Sequence, residues 1–297
     1  MKKTKNKSIR THGKVFGIIS VTILGLYSFT MLFALYLAIS NSLKGIVDFT
    51  LNPLGLPSRL RLDNYKNAFN QLGLDVASGA GRRTIGFFEL FFNSLLYVFG
   101  CTVVGIYTHF TCAYVAAKHR NIVTKMMHWI VVFLISFPQV GSLASSMVIM
   151  KTTGVYNNRL LYFLYCGGFT GSNFLIFYAA SKGIDNAFLE AAKLDGAGYY
   201  RIQFTIVMPM VKNLLLGMAL LQIISLWNTW QTPMLYLPSY PTISYALYRF
   251  QFNTNNSVSQ IPAQMAGCVL VMLPTLILFV IFKDKFIGNI TLGGLKG

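Results

Sequence analysis

Six long apolar runs constrain this chain more than any other feature: Val15 to Ile39, Leu90 to Ala117, Met126 to Met150, Leu160 to Ala180, Thr205 to Trp227 and Met265 to Phe282. Each approaches the ~20 residues a helix needs to cross a bilayer core, where no water reaches the backbone and every amide must be satisfied within the segment. The expected fold is all-α, a polytopic membrane protein with about six transmembrane helices. Composition agrees, since 54% of the residues are hydrophobic and only 11% charged, against about a quarter charged in a soluble domain.

The first run follows a basic segment, as in a secretory signal, but exceeds the ~7–15 apolar residues of a signal core and reads as a retained anchor. Pro138, Pro209 and Pro274 are expected to kink or delimit their helices. Cys101, Cys112, Cys166 and Cys268 lie in or beside apolar runs without metal-ligand spacing, so they read as small free apolar residues.

The net charge of +17 resides in short basic clusters between the runs, not along one polar face, which argues against nucleic acid. Cytoplasmic flanks carry the excess of Lys and Arg. Lys2, Lys3, Lys5, Lys7, Arg10 and Lys14 put the N-terminus inside. Alternate loops then fall inside with Lys118, Arg120 and Lys125, and with Lys182, Lys193 and Arg201, and the C-terminus follows with Lys283, Lys285 and Lys296. The expected organisation is a basic cytoplasmic segment (1–14), a transmembrane domain (15–284) and a glycine-rich cytoplasmic tail (285–297). Within the domain lie outer loops at 41–89 and 231–264 and a cytoplasmic loop at 181–209. The first outer loop reads as a partly structured cap. The second carries Tyr236, Tyr240, Tyr245, Tyr248, Phe250 and Phe252, a pattern that suits an interfacial aromatic belt, or alternatively contact with a sugar-bearing partner or ligand.

The loop before the fifth run is the most informative. Asp185 and Asn186 can cap a helix over about Ala187 to Leu194, which Gly196 can close in the left-handed conformation; a second helix starts near Tyr199 and runs through Pro209. Ala191 and Ala192 leave one side with little bulk, Phe188 and Leu194 can anchor the helix by their apolar surfaces, and Glu190 offers one charge. Physics alone leaves two readings open: a helix for a partner's groove, or an amphipathic connector on the bilayer surface.

The spacing Glu190-Ala191-Ala192, three residues, Gly196, nine residues, Ile206, one residue, Met208-Pro209 resembles the EAA loop of bacterial ABC importer permeases. The family pattern has Leu at Met208, a change that conserves volume and apolarity. Leu62-Asp63-Asn64-Tyr65, Asn93-Ser94-Leu95 and Trp227-Asn228 are similar to the carbohydrate branch, that of the smaller maltose-type permease subunit. So is the tail Phe286 to Gly297, with Gly294-Leu295 where Ala-Val is common. The resemblance covers nearly the whole chain.

It implies the type I ABC importer permease fold in a bacterial plasma membrane. It also implies a second homologous permease subunit, an ATPase subunit dimer, an extracytoplasmic solute-binding protein and a carbohydrate substrate, with membrane lipid around the spans. The sequence holds no GxxxxGK[ST] phosphate cradle, so the chain is expected to bind no cofactor and to be no enzyme, with ATP and Mg used by the partner ATPase. Glu190, Ala191, Ala192, Leu194, Asp195, Gly196, Ile206 and Pro209 would form the ATPase-docking loop, with Glu190 meeting a basic partner residue and Gly196 supplying the turn. Leu292, Gly293, Gly294, Leu295, Lys296 and Gly297 would reach between the ATPase subunits, and the segment Tyr240 to Gln260 toward the binding protein.

Trp227, Asn228, Tyr245 and Tyr248 are candidates for the solute pathway or for outer contacts. His109, Gln139, Asn173 and Gln222 read individually as hydrogen-bonding groups between helices. The apolar runs carry no Asp or Glu in their cores, as an ion-coupled transporter would usually need. His12, His109, His119 and His128 are scattered, without the HExxH of a membrane metalloenzyme. Within the ABC class, a permease for peptides or amino acids is the alternative to carbohydrate.

Overall fold

The computed structural model describes the backbone of residues 2–78, 81–119, 121–137, 141–252 and 261–292, and side chains within 16–77, 81–119, 121–137, 141–252 and 261–282. The chain forms two units, one of residues 1–71 and 251–272, the other of residues 72–250 and 273–297.

The first unit opens with α1 (Lys2–Ser42), whose apolar part, Phe16–Ser42, buries none of its most apolar window against protein. Two short helices follow, α2 (Ile46–Leu51) and α3 (Asp63–Gln71). They are tied to the end of α1 by polar groups. Asn64 donates to the carbonyls of Ser42 and Lys44, both at 2.8 Å, and the Tyr65 and Ser42 hydroxyls lie 2.7 Å apart. Lys44 is fully buried and donates to Asn41 Oδ1 at 2.9 Å and the Asn52 carbonyl at 2.7 Å, so the burial of its amine is compensated. The Asn64-Tyr65 pair is thus a fastener of the cap expected between the first two runs. The last helix, α15 (Ile261–Leu292), runs through Pro274 and does not end there.

The second unit begins with an antiparallel hairpin, β1 (Leu74–Ser78) and β2 (Gly81–Ile85), in which Leu74 opposes Ile85 and Ala77 opposes Arg82. Its pillar is α4 (Phe87–Lys118), half of whose most apolar window is buried, against which α5 (Ile122–Ser136), α7 (Arg159–Tyr165), α8 (Ser172–Lys182) and α12 (Lys212–Asn228) pack. Glycine permits the approach. A Cβ on Gly105 would come within 2.7 Å of the Gln222 side chain on α12, and one on Gly100 within 2.7 Å of the Phe163 ring on α7.

The expected run of continuous spans is corrected in three places. Among the described residues, three helices are long and apolar enough to cross a membrane alone: Phe16–Ser42, Phe87–Lys118 and Ile261–Phe282. The run Met126 to Met150 is divided between α5 and α6 (Ser142–Thr152). Phe137 has the extended backbone that a following proline imposes, and Gly141 has a φ of +75°; Pro138 and Gln139 lie outside the described residues. The run Leu160 to Ala180 is divided between α7 and α8, with Gly171 at a φ of +132° in the break. The run Thr205 to Trp227 is bent by 80° between Tyr199–Met210 and Lys212–Asn228, so the transverse helix starts after Pro209. Interrupted backbone of this kind is tolerated at membrane depth where neighbouring protein satisfies it.

The core of this unit lies at one end of α4. Phe110, Phe174, Phe177, Ile202, Val207 and Leu215 are buried together there, with Phe110 and Phe177 edge to face at 5.9 Å.

Candidate functional site

The loop between α8 and α12 holds α9 (Asn186–Leu194), within a residue of expectation. Asp185 accepts the Ala187 amide at 3.0 Å, an N-cap contributing about 1 kcal/mol. The other end is a Schellman closure: the Ala197 amide donates to the Ala192 carbonyl at 2.9 Å, the Gly196 amide donates to the Lys193 carbonyl at 3.0 Å, and Gly196 takes a φ of +77°. Gly196 therefore supplies the turn by its backbone freedom; a Cβ there would meet nothing within 4 Å.

The inner and outer faces of α9 differ from expectation. Leu189 (7% exposed) and Ala192 (6%) enter the Phe110 core, while Phe188 (54%) and Leu194 (90%) stand in the open with Glu190 and Ala191. The helix is anchored by Leu189 and Ala192, not by Phe188 and Leu194. The i, i+3 spacing of 189 and 192 places them on one side, and α9 is too short for a wider buried stripe. Of the eight loop residues singled out from the sequence, Glu190, Ala191, Leu194, Asp195, Gly196 and Pro209 are exposed, Ala192 faces inward, and Ile206 is half-buried against the core.

Contacts that the sequence did not single out hold this loop to α4. Lys118, at the end of α4, donates to the Ile184 carbonyl and, at 2.9 Å, to Asn186 Oδ1. Gln203 is buried and donates to Thr111 Oγ1 of α4 at 2.7 Å. The His119 and Tyr199 rings lie 5.5 Å apart, and the Lys193 amine sits 5.5 Å from the same Tyr199 ring. After α9 the chain passes through α10 (Tyr199–Ile202), a π-helical turn (Gln203–Val207) and α11 (Met208–Met210), with Ile206 in the turn and Pro209 just before the bend at Val211. A π turn adds a residue to the ring closed by each backbone bond, and here it coincides with the inward Gln203.

At the far end of α12 the candidate pathway residues separate. Trp227 is buried, edge-on to Phe91 at 5.8 Å, and its carbonyl accepts the Ser244 hydroxyl, so it is a packing residue. Asn228 is exposed and donates back to the Ile224 carbonyl at 2.9 Å. α13 (Gln231–Tyr236) leads to α14 (Ile243–Gln251), where Tyr248 stacks on Trp230 at 3.6 Å and Tyr245 is half-buried. The Asn93-Ser94 pair belongs to the same fastening: Ser94 Oγ accepts the Ile243 amide at 2.8 Å, and Asn93 accepts from Arg159 at 2.7 Å. In the tail, Leu292 ends α15, and Gly293, Gly294, Leu295, Lys296 and Gly297 lie outside the described residues, as do residues 253–260 of the segment Tyr240 to Gln260.

Residues 109–289, which include the whole of this loop, match the family model described as binding-protein-dependent transport system inner membrane component. The probable starch degradation products transport system permease protein AmyC of Thermoanaerobacterium thermosulfurigenes is 28% identical over 266 residues, covering 88% of this chain and 90% of its own. The diacetylchitobiose uptake system permease protein NgcG of Streptomyces coelicolor is 22% identical over 288 residues, covering 94% and 88%. Among solved structures, a bacterial ABC transporter involved in the import of the acidic polysaccharide alginate shares the fold, with a TM-score of 0.75 at 21% identity, covering 92% of this chain and 97% of that one.

Proposed function

We infer the role of this chain from one premise: it belongs to the family of binding-protein-dependent transport system inner membrane components. It is a membrane transport subunit, not an enzyme. Its proposed function is that of one permease subunit of an ATP-driven importer, forming half of the pathway for a carbohydrate delivered by an extracytoplasmic binding protein. Support for carbohydrate comes from relatives named for starch degradation products and diacetylchitobiose. The orientation that follows from the basic flanks places both termini and α9 on the cytoplasmic side.

The observation that carries the coupling role is the two-sidedness of α9. Leu189 and Ala192 bind it to the core of α4 and α8, while Phe188, Glu190, Ala191 and Leu194 face outward, leaving an apolar patch with one carboxylate for a cleft in an ATPase subunit. Glu190 then fixes docking geometry more than it adds affinity, because desolvation offsets part of its Coulomb gain. When the ATPase dimer closes, α9 moves with it. Its Leu189 contacts, the Lys118 bonds to Ile184 and Asn186, and the Gln203 bond to Thr111 pass the movement to α4 and α8. ATP and Mg belong to the partner, since the chain carries no phosphate-cradling motif.

The test is reconstitution. The chain, co-purified with the products of neighbouring genes, should recruit an ATPase whose activity rises with the cognate binding protein and one of a panel of oligosaccharides. Failure to recruit any ATPase overturns the reading, and stimulation only by peptides or amino acids overturns its carbohydrate part.

A further inference from the structure

Beside the root of α9 lies a polar cleft with two exposed lysines, Lys125 and Lys182, that the coupling role does not use. It has a volume of about 660 Å³ and sits where α4 and α8 end and where α5 and α9 begin. Lys118, Lys125 and Lys182 line it, with His119 beside them, and Asp185 is the one carboxylate in its wall. That carboxylate is engaged in capping α9. Lys118 braces the two walls through Ile184 and Asn186. Lys125 and Lys182 are exposed and, among the described residues, belong to no ion pair. The cleft is therefore a cationic pocket, with three lysines against one carboxylate among its lining residues.

Its surroundings say what kind of anion fits. Immediately next to Lys125, the first turns of α5 present Ile122, Val123 and Met126 outward, all well exposed. A ligand with a phosphate for the lysines and hydrocarbon for this apolar strip matches both surfaces, and basic pockets between helices at the cytoplasmic boundary take anionic headgroups. We propose that the cleft at Lys125 and Lys182 binds the phosphate headgroup of an anionic phospholipid, with an acyl chain laid along Ile122, Val123 and Met126. The inference rests on the orientation given above, which puts the ends of α4 and α8 at the cytoplasmic face. A lipid held there touches the anchorage of α9, through Lys118 and Asp185, and so would bias how α9 is presented.

The experiment is native mass spectrometry of the detergent-solubilised transporter complex titrated with phosphatidylglycerol or phosphatidylcholine. The intact complex should retain phosphatidylglycerol in preference to phosphatidylcholine. The Lys125→Ala/Lys182→Ala variant should hold it roughly thirtyfold more weakly, from the loss of two basic residues at the surface. Lys125→Arg/Lys182→Arg should hold it as the unaltered protein does. Equal retention of the two lipids, or unchanged retention by the alanine variant, overturns the proposal. Displacement of the lipid by inorganic phosphate at matched concentration also overturns it, because the site would then be one for a free anion. Loss of the ATPase subunits from the alanine variant with lipid retention intact overturns it as well, because the lysines would then be protein contacts. The lipid readout needs no transport activity, so its failure is separable from failure of the import reading.

Discussion

Gln203, in the π-helical turn, donates its side-chain amide to the hydroxyl of Thr111 on α4 at 2.7 Å, joining two positions 92 residues apart in the chain. Gln203 is buried and Thr111 half-buried, so the amide would be costly to leave alone. Gln203→Ala is expected to destabilise the detergent-solubilised protein by about 1–3 kcal/mol, read as a fall in thermal midpoint. A double-mutant cycle with Thr111→Val should give a coupling of about 1 kcal/mol. Strict additivity of the two substitutions would show that the bond contributes nothing.

Gly196 occupies left-handed backbone space with nothing near its missing Cβ, so a substitution there strains the backbone without a clash. Left-handed backbone costs an ordinary L-residue roughly 1–2 kcal/mol, and Asn tolerates it best. Gly196→Asp should insert normally but lose ATPase recruitment, since it adds a charge to the docking surface as well as strain. Gly196→Asn should recruit nearly as well as the original. Normal uptake in the aspartate variant would count decisively against docking at this turn.

Leu189 and Leu194 form a matched pair of opposite meaning. Leu189→Ala empties a buried position and should destabilise the α9 anchorage by about 2–5 kcal/mol, seen as faster hydrogen exchange across residues 186–194. Leu194→Ala removes an exposed side chain and should change stability by no more than about 0.5 kcal/mol while weakening ATPase recruitment. The reverse pattern would mean that the inner and outer faces of α9 have been misassigned.

Asp48 gives a pH prediction in the cap between α1 and α4. Its carboxylate accepts the Ser58 amide at 2.8 Å and the Ser58 hydroxyl at 2.9 Å, which hold it below its ordinary value of 3.8, with Lys44 adding to the effect. A lowered carboxylate contributes stability that is fully present above the unfolded value and is lost as the pH falls through the folded one. Protection of the Ser58 amide from exchange should thus be flat from neutral pH down to about 4, and should fall below that. Asp48→Asn should remove the acid-dependent step, and an unchanged step in that variant would assign it to another group.

Features that depend on neighbours in the chain were legible before the fold was known. Asp185, three residues before Phe188, and Gly196, just past Leu194, act on backbone groups within one turn, so the limits of α9 could be read directly. The breaks within the third and fourth runs were harder. Hydropathy averages over a window and records no discontinuity at Gly141 or Gly171, although each, with its positive φ, stands just before the start of a helix. The bend at Val211 was legible only as the presence of Pro209.

Long-range partners were not legible at all. Nothing local distinguishes Leu189 from Phe188 as the anchor, because the choice depends on where the Phe110 and Phe177 rings lie. Trp227 reads equally well as a pathway lining or as packing until Phe91 is placed against it.

By itself the sequence determined that the chain is helical and membrane-bound, and that a capped, glycine-closed helix precedes the last third. Desolvation of backbone amides and local hydrogen bonding depend on composition and short spacings alone. The tertiary structure decided which face of that helix is free, where the spans break, and that Lys118, Gln203 and Thr111 tie the loop to α4. Those outcomes depend on which distant residues supply the complementary surface, and burial and pairing are properties of that meeting.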